Sequence, residues 1–458
     1  MKKNLFLLAG TVLFAFLFYN QEMGLNFSLF AIFIYTAIRS SAPAIRRAPF
    51  SGWLTAALAV TVGTFTWYGG PLPFLTLFAT LVLIACRAYA PSMHMLLVPF
   101  SGALNFASFI FRAPLLATWL PLKTLSLGQF YKKVIYYFLI PGTLAVVFLI
   151  VYSSSSSLFL SFFRLNWNPD LFQIFILSGV GFFITFSLLH YWVPDMLLEY
   201  NNRIQDHFSD TAAETGTDPK SADAAFYRKS AEISLIVLNV LITGFIVTYC
   251  IEQFEKSPSG NLSKELHERV YLLIFSILMA IAVIMVFFQG KLNFDKKNRA
   301  LKDYAFLWIG LNAVLILVVV LKNNQYVTAY GLTFKRIGVY IFLLLTALGL
   351  WFTMLKIKHR KTNSYLLSRM VWTGYTALVI GCAVNWSWIV TKYNHSKQST
   401  WDIDYVKDLP YNKQLLYDIY MKDAAPEEKQ QFLQTIETEK NRPLLSRHLY
   451  YQFIQLQP

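Results

Sequence analysis

The chain has 458 residues, of which 56% are hydrophobic and 40 are Phe, and it carries a formal net charge of +15. A soluble domain holds roughly 45 to 50% apolar residues; here the excess comes in uncharged runs of about 17 to 25 residues, each long enough as a helix to cross a ~30 Å hydrocarbon layer. A single soluble core is therefore excluded. Because Lys and Arg fall in the short loops between the runs, membrane orientation accounts for the charge and no nucleic-acid partner is needed.

Taken in order, the expected spans are Leu5 to Tyr19, Leu25 to Ile38, Trp53 to Tyr68, Leu72 to Cys86, Val134 to Tyr152, Leu171 to Trp192, Ile233 to Ile251, Val270 to Gln289, Tyr304 to Leu321, Ile337 to Leu355 and Met370 to Val390. Met1-Lys2-Lys3 and the first run resemble a signal peptide, but no small-x-small cleavage pattern follows, so the run is read as the first span. Residues 94–129 are apolar but interrupted by Pro99, Gly102, Asn105, Pro114 and Pro121. They read as a re-entrant or interfacial pair of short helices. No run alternates with period two, so the fold class is all-α: a polytopic transmembrane helix bundle of about 11 spans over residues 1–393. Arg39, Arg46, Arg47, Lys132, Lys133 and the cations of residues 193–232, 291–302 and 356–369 all fall on one side of that arrangement. The positive-inside bias makes that side cytoplasmic, with the N-terminus in the cytoplasm and the C-terminus periplasmic.

From Asn394 the composition becomes that of a small soluble unit, and residues 394–458 read as an extracytoplasmic helical domain with helices over Pro410 to Lys422, Pro426 to Glu439 and Pro443 to Gln455. About 65 residues form a marginal core, so these helices are expected to dock on the outer loops or on a partner.

Chemistry-bearing residues are sparse. His190, Asp195 and Glu199 cluster at a span end, and the two carboxylates share a helix face if Pro194 opens a helix, where with His190 they could bind a metal or relay protons; a solvated helix end is the preferred reading. Asn239, Asn312 and Asn385 lie within spans, where an amide joins helices or lines a cavity. Glu255, Glu265 and Glu268 are the candidate outer carboxylates for a transferase, and a hydrated loop is the preferred account of them. Cys86, Cys250 and Cys382 have no metal or disulfide spacing, so no metal site is expected, and no cofactor motif is present. The most informative stretch is Asn323 to Arg336, where Gly331 permits a turn, a helix restarts at Thr333, and Tyr330 and Arg336 reach headgroup level.

Several of these features occur together in a known family. The Ser-rich segment before Leu171, Leu266-His267-Glu268-Arg269, Tyr330-Gly331-Leu332-Thr333 followed by Arg336, Asn385, Lys392-Tyr393-Asn394 and the segment Asp402 to Leu409 resemble the bacterial integral-membrane family called domain of unknown function 4173, closely related to 4153. The resemblance implies a topology and carries no activity. It marks Tyr326, Tyr330, Gly331, Thr333, Arg336, Arg269, Asn385 and Asn394 as candidate functional or interface residues. The expectation is a non-enzymatic inner-membrane component of a bacterial envelope assembly, bound to membrane lipids and to other envelope proteins. A transporter or lipid flippase is the alternative, and a transferase acting on a lipid-linked substrate at the outer face is the third.

Overall fold

The structure, a computed structural model, describes residues 2–42, 51–115, 141, 148, 169–206, 222–255, 262–288, 298–397 and 402–455. Its contacts divide the chain into two compact units, Met1–Met93, Leu97–Glu199 and Pro426–Ile454 in the first, His94–Leu96, Tyr200–Ala425 and Gln455–Pro458 in the second.

The first unit begins with α1 (Lys2–Phe18), α2 (Leu25–Ser41), α3 (Ser51–Tyr68) and α4 (Pro71–Tyr89). Pro71 opens α4 directly after Gly70, a position where its missing N–H costs nothing. The segment expected to re-enter follows as one 3-10 turn, α5 (Val98–Ala107) and α6 (Phe109–Arg112); its part beyond residue 115 lies outside the described residues. After it comes α7 (Pro169–Leu189), which packs along α1. Phenylalanines fill these seams. Phe14 meets Phe30 edge to face at 5.0 Å, and Phe109 meets Phe183 at 4.8 Å, arrangements that add about 0.5 to 1.5 kcal/mol beyond burial.

After α8 (Asp195–Arg203), the second unit contains α9 (Ala222–Glu255), α10 (Leu262–Phe287), α11 (Arg299–Tyr330), α12 (Phe334–Lys358), α13 (Asn363–Ala383), α14 (Trp386–Ser396), α15 (Ile403–Lys407) and α16 (Lys413–Leu416). Its core joins Leu235 and Ile242 of α9, Ile277 and Ile284 of α10, Leu315 and Val319 of α11, and Leu343 and Leu350 of α12. A last pair, α17 (Pro426–Lys440) and α18 (Leu449–Gln452), belongs to the first unit.

Among the described residues, six helices are long and apolar enough to cross a membrane: Pro71–Tyr89, Asp170–Leu189, Ala225–Ile251, Arg299–Tyr330, Phe334–Lys358 and Asn363–Ala383. Shorter apolar helices cover Lys3–Phe18, Leu25–Ser41, Met95–Ala107 and Phe275–Phe287. The expected span Val134 to Tyr152 lies outside the described residues apart from 141 and 148.

Two expected boundaries change, each for a local reason. The run Met370 to Val390 is two helices: α13 starts early because the Thr362 hydroxyl caps it, accepting from the Tyr365 amide at 3.3 Å, and α14 starts afresh behind Asn385. The run ending at Leu321 continues to Tyr330, where Gly331 stops it. In the tail, Pro426 to Glu439 is helical as expected. The helix expected over Pro410 to Lys422 is instead α16 followed by a π-turn over Tyr417–Met421, and that expected over Pro443 to Gln455 is a 3-10 turn at Leu444–Ser446 and the short α18.

Residues of this last segment close one end of the first unit. The Ser446 hydroxyl accepts from the Glu22 amide at 2.9 Å and donates to Gln21 Oε1 at 2.9 Å, and Arg442 bridges Glu22 and Glu439. Gly24 is required here, because a Cβ on it would lie 2.6 Å from the Ser446 carbonyl oxygen. Phe453 stacks on Trp67 at 5.2 Å, and His448 stands edge-on to Phe65 at 6.0 Å.

Burial pushes the His448 pKa below its usual 6.5, outweighing the opposite pull of Glu439 and Glu22, while Arg442 adds to the lowering. The folded state therefore holds this imidazole neutral, and the unfolded chain takes up its proton first. That stability is present above about pH 6.5 and is lost as pH falls through the lower folded value. Stability against thermal unfolding in detergent is expected to fall between about pH 7.5 and 5.5, and a His448→Phe chain should lose that part of the dependence. An identical pH profile in the variant would refute the assignment.

Candidate functional site

The stretch singled out in the sequence is a bonded junction in the second unit. Gly331 lies at φ +78°, a conformation that favours glycine, and this ends α11. Two residues on, the Thr333 hydroxyl caps α12 by accepting from the Arg336 amide at 3.4 Å. Arg336, one turn into α12, is buried and folds back over the turn, donating to the carbonyls of Tyr330 (2.8 Å) and Gly331. These are C-terminal carbonyls of α11, which a guanidinium satisfies well.

A second layer arrives from far along the chain. The Asn394 side chain, on α14, accepts from the Leu332 amide at 2.6 Å and donates to the Leu332 carbonyl at 2.9 Å, pairing with it as a β-strand neighbour would. The Tyr405 hydroxyl, on α15, accepts from the Phe334 amide at 2.9 Å, and the Asn323 amide donates to the Arg336 carbonyl at 3.2 Å. Val327, Leu332, Ile337, Val390 and Leu409 form the apolar floor. Tyr326 stacks on Tyr330 at 6.1 Å, and the Arg336 guanidinium stands 5.8 Å from the Tyr330 ring. Tyr326, Tyr330, Gly331, Thr333, Arg336 and Asn394 are thus brought together, with the side chains of Thr333, Arg336 and Asn394 bonded to backbone and Tyr330 and Phe334 left 46% and 42% exposed.

Asn385 is elsewhere. It is an N-cap rather than a residue inside a span: its carbonyl oxygen accepts from the Trp388 amide at 3.0 Å and its amide donates to the Tyr411 carbonyl at 2.9 Å. Asn239 donates across to the Tyr304 carbonyl at 3.1 Å, joining α9 to α11, whereas Asn312 donates within its own helix to Trp308 at 2.8 Å. The three amides therefore do not line one cavity. Arg269, with Glu265 and Glu268, falls on α10, and Glu255 ends α9; their side chains lie outside the described residues.

His190, Asp195 and Glu199 are not assembled into one site. The His190 ring stacks on Phe186 at 5.0 Å, while Asp195 begins α8 and both carboxylates are exposed. Among the described residues no three His, Cys, Asp or Glu side chains come together to hold a metal.

The polar centre of the first unit is instead Asn105, which in the sequence is an interruption of an apolar run. Its amide donates to the Ser187 carbonyl at 2.9 Å, and its oxygen accepts from the Trp192 amide at 2.9 Å and from Arg112 at 2.8 Å. Arg112 also donates to the His190 carbonyl. Together they satisfy the C-terminal end of α7. The spacing of Asn105 and Arg112, two helical turns apart, is the signal that could have found them.

No curated protein and no solved structure matches this chain. A family model does, the "Domain of unknown function (DUF4153)", over residues 27–418. Of the two related families that the sequence resembles, it is this second one that matches, and the matched region contains the whole junction from Asn323 to Tyr405. The chain is a membrane-helix protein and belongs to the DUF4153 family.

Proposed function

We propose that this chain is a non-catalytic subunit of an envelope membrane-protein assembly, lodged in a bacterial inner membrane with its N-terminus cytoplasmic and its C-terminus periplasmic. The observation that carries the reading is the junction: hydrogen bonds of the Arg336, Asn394 and Tyr405 side chains fix a turn whose outward groups are the rings of Tyr330 and Phe334. Rigid aromatic side chains presented on a fixed backbone suit a protein interface, since they bury large area at little entropic cost. Such an arrangement supports recognition rather than turnover. The transporter and transferase alternatives have no comparable grouping among the described residues.

Chain extracted from native membranes in mild detergent should migrate above its own mass with a second polypeptide in fixed ratio. Tyr330→Ser combined with Phe334→Ser should release that polypeptide, at a cost of about 2 to 4 kcal/mol of binding, while the thermal unfolding of the chain stays near that of the parent. A lone monomer, or a complex indifferent to the double substitution, would overturn the proposal.

A further inference from the structure

Within the second unit a cleft of about 630 Å³ runs between α12 and α13. That volume lies in the range of small-molecule sites. Its walls include Leu344, Leu348 and Phe352 from α12 and Trp372, Thr376 and Ile380 from α13, two helices long and apolar enough to span a membrane. The Thr376 hydroxyl donates to the Trp372 carbonyl of its own helix at 2.9 Å, so it asks nothing of an occupant. Along α13 the lining extends from Tyr365 to Gly381. At 1.5 Å per residue that is roughly 24 Å, enough to take the length of an acyl chain within a ~30 Å hydrocarbon core.

One end of the cleft has a different chemistry. Arg369 is exposed, its guanidinium 5.3 Å from the Tyr365 ring, and the Lys361 ammonium lies 5.7 Å from the same ring. Lys358, His359 and Arg360 immediately precede these residues. No carboxylate pairs with Arg369 among the described residues. Arg369 is six residues past Asn363, the start of α13, about 9 Å along the helix. A cation beside an apolar groove attracts an accompanying anion.

We propose that this cleft binds an anionic glycerophospholipid, with its phosphate on Arg369 beside Lys361 and Tyr365 and an acyl chain laid along the apolar walls. The charge of Arg369 selects the headgroup, and the long apolar groove selects an acyl chain over a soluble phosphate. The site is independent of the partner interface at Tyr330 and Phe334.

The test uses the full chain purified in zwitterionic detergent and offered phosphatidylglycerol or phosphatidylcholine of identical acyl composition, with retained lipid counted by native mass spectrometry. The parent chain is expected to retain phosphatidylglycerol roughly fivefold over phosphatidylcholine, as one cation near a phosphate provides. Arg369→Gln should bring the ratio close to one, and Arg369→Lys should largely restore it. Gly381→Leu, whose side chain enters open space at the far end of the lining, should cut retention of both lipids, and glycerol phosphate should displace neither. Equal retention of the two lipids by the parent, an undiminished preference in Arg369→Gln, or displacement by glycerol phosphate would each overturn the proposal. Because Arg369 is exposed, its substitution leaves the fold intact, and the lipid ratio decides the matter even if Gly381→Leu unfolds.

Discussion

Asn394→Ala is expected to be among the most damaging single substitutions in the second unit, removing about 2 to 5 kcal/mol of stability. The wild-type amide satisfies both the N–H and the carbonyl of Leu332, in a place where water does not substitute because Leu332 is 8% and Asn394 2% exposed. Truncation orphans two backbone groups at once, and each costs roughly 1 to 3 kcal/mol when buried without a partner. Asn394→Asp should fall between, since a carboxylate still accepts from the Leu332 amide but faces its carbonyl with a second acceptor. Asn324→Ala, at an exposed position on α11, should be nearly neutral. Unfolding followed by tryptophan fluorescence in detergent gives the order, and equal stability for the Asn394 and Asn324 variants would contradict the clamp.

Substitution of Lys356 should come close behind. Its side chain is fully buried, at 0% exposure, and its ammonium donates at 2.9 Å to the carbonyl of Phe288, immediately past the end of α10. That carbonyl belongs to the negative end of a helix, where a cation is stabilised. Lys356→Ala removes the donor and leaves a cavity, so about 3 to 5 kcal/mol should be lost. Lys356→Met keeps most of the volume, orphans only the carbonyl and sheds a buried charge, so it should cost less than half as much. If Met proved as harmful as Ala, packing would not be the larger part of the effect.

Turn chemistry makes the junction partly legible from the amino acids alone. Gly before Leu-Thr, with Arg three residues after Thr, specifies a helix stop, a helix restart and a basic residue able to reach back, all within six positions. The partners of that turn are not legible as partners. Asn394 and Tyr405 lie 62 and 71 residues away from the groups they bind, and nothing in their local pattern says which backbone they will meet. The family resemblance covers both positions without supplying the reason.

Positions that the sequence disguises share a physical origin. Asn385 sits in an apolar run, where hydropathy hides a cap, so a broken helix looks continuous. Lys356 reads as one of the cytoplasmic cations because charge at the end of an apolar run usually snorkels, yet the end of α10 draws this one inward. Pro443 and His448 adopt extended conformations, which shortens the last helix of the tail in a way that its apolar spacing does not reveal.

The contact between Ser446 and Glu22 spans 424 residues, which sets a schedule for biogenesis. A ribosome adding roughly 5 to 20 residues per second needs about 20 to 80 s to traverse that distance. Throughout that interval the hairpin between α1 and α2 has been synthesised while its closing segment has not. The nascent chain therefore has a defined vulnerable period, during which a chaperone or a protease would find that hairpin uncovered, and it ends only when the segment around Ser446 leaves the ribosome.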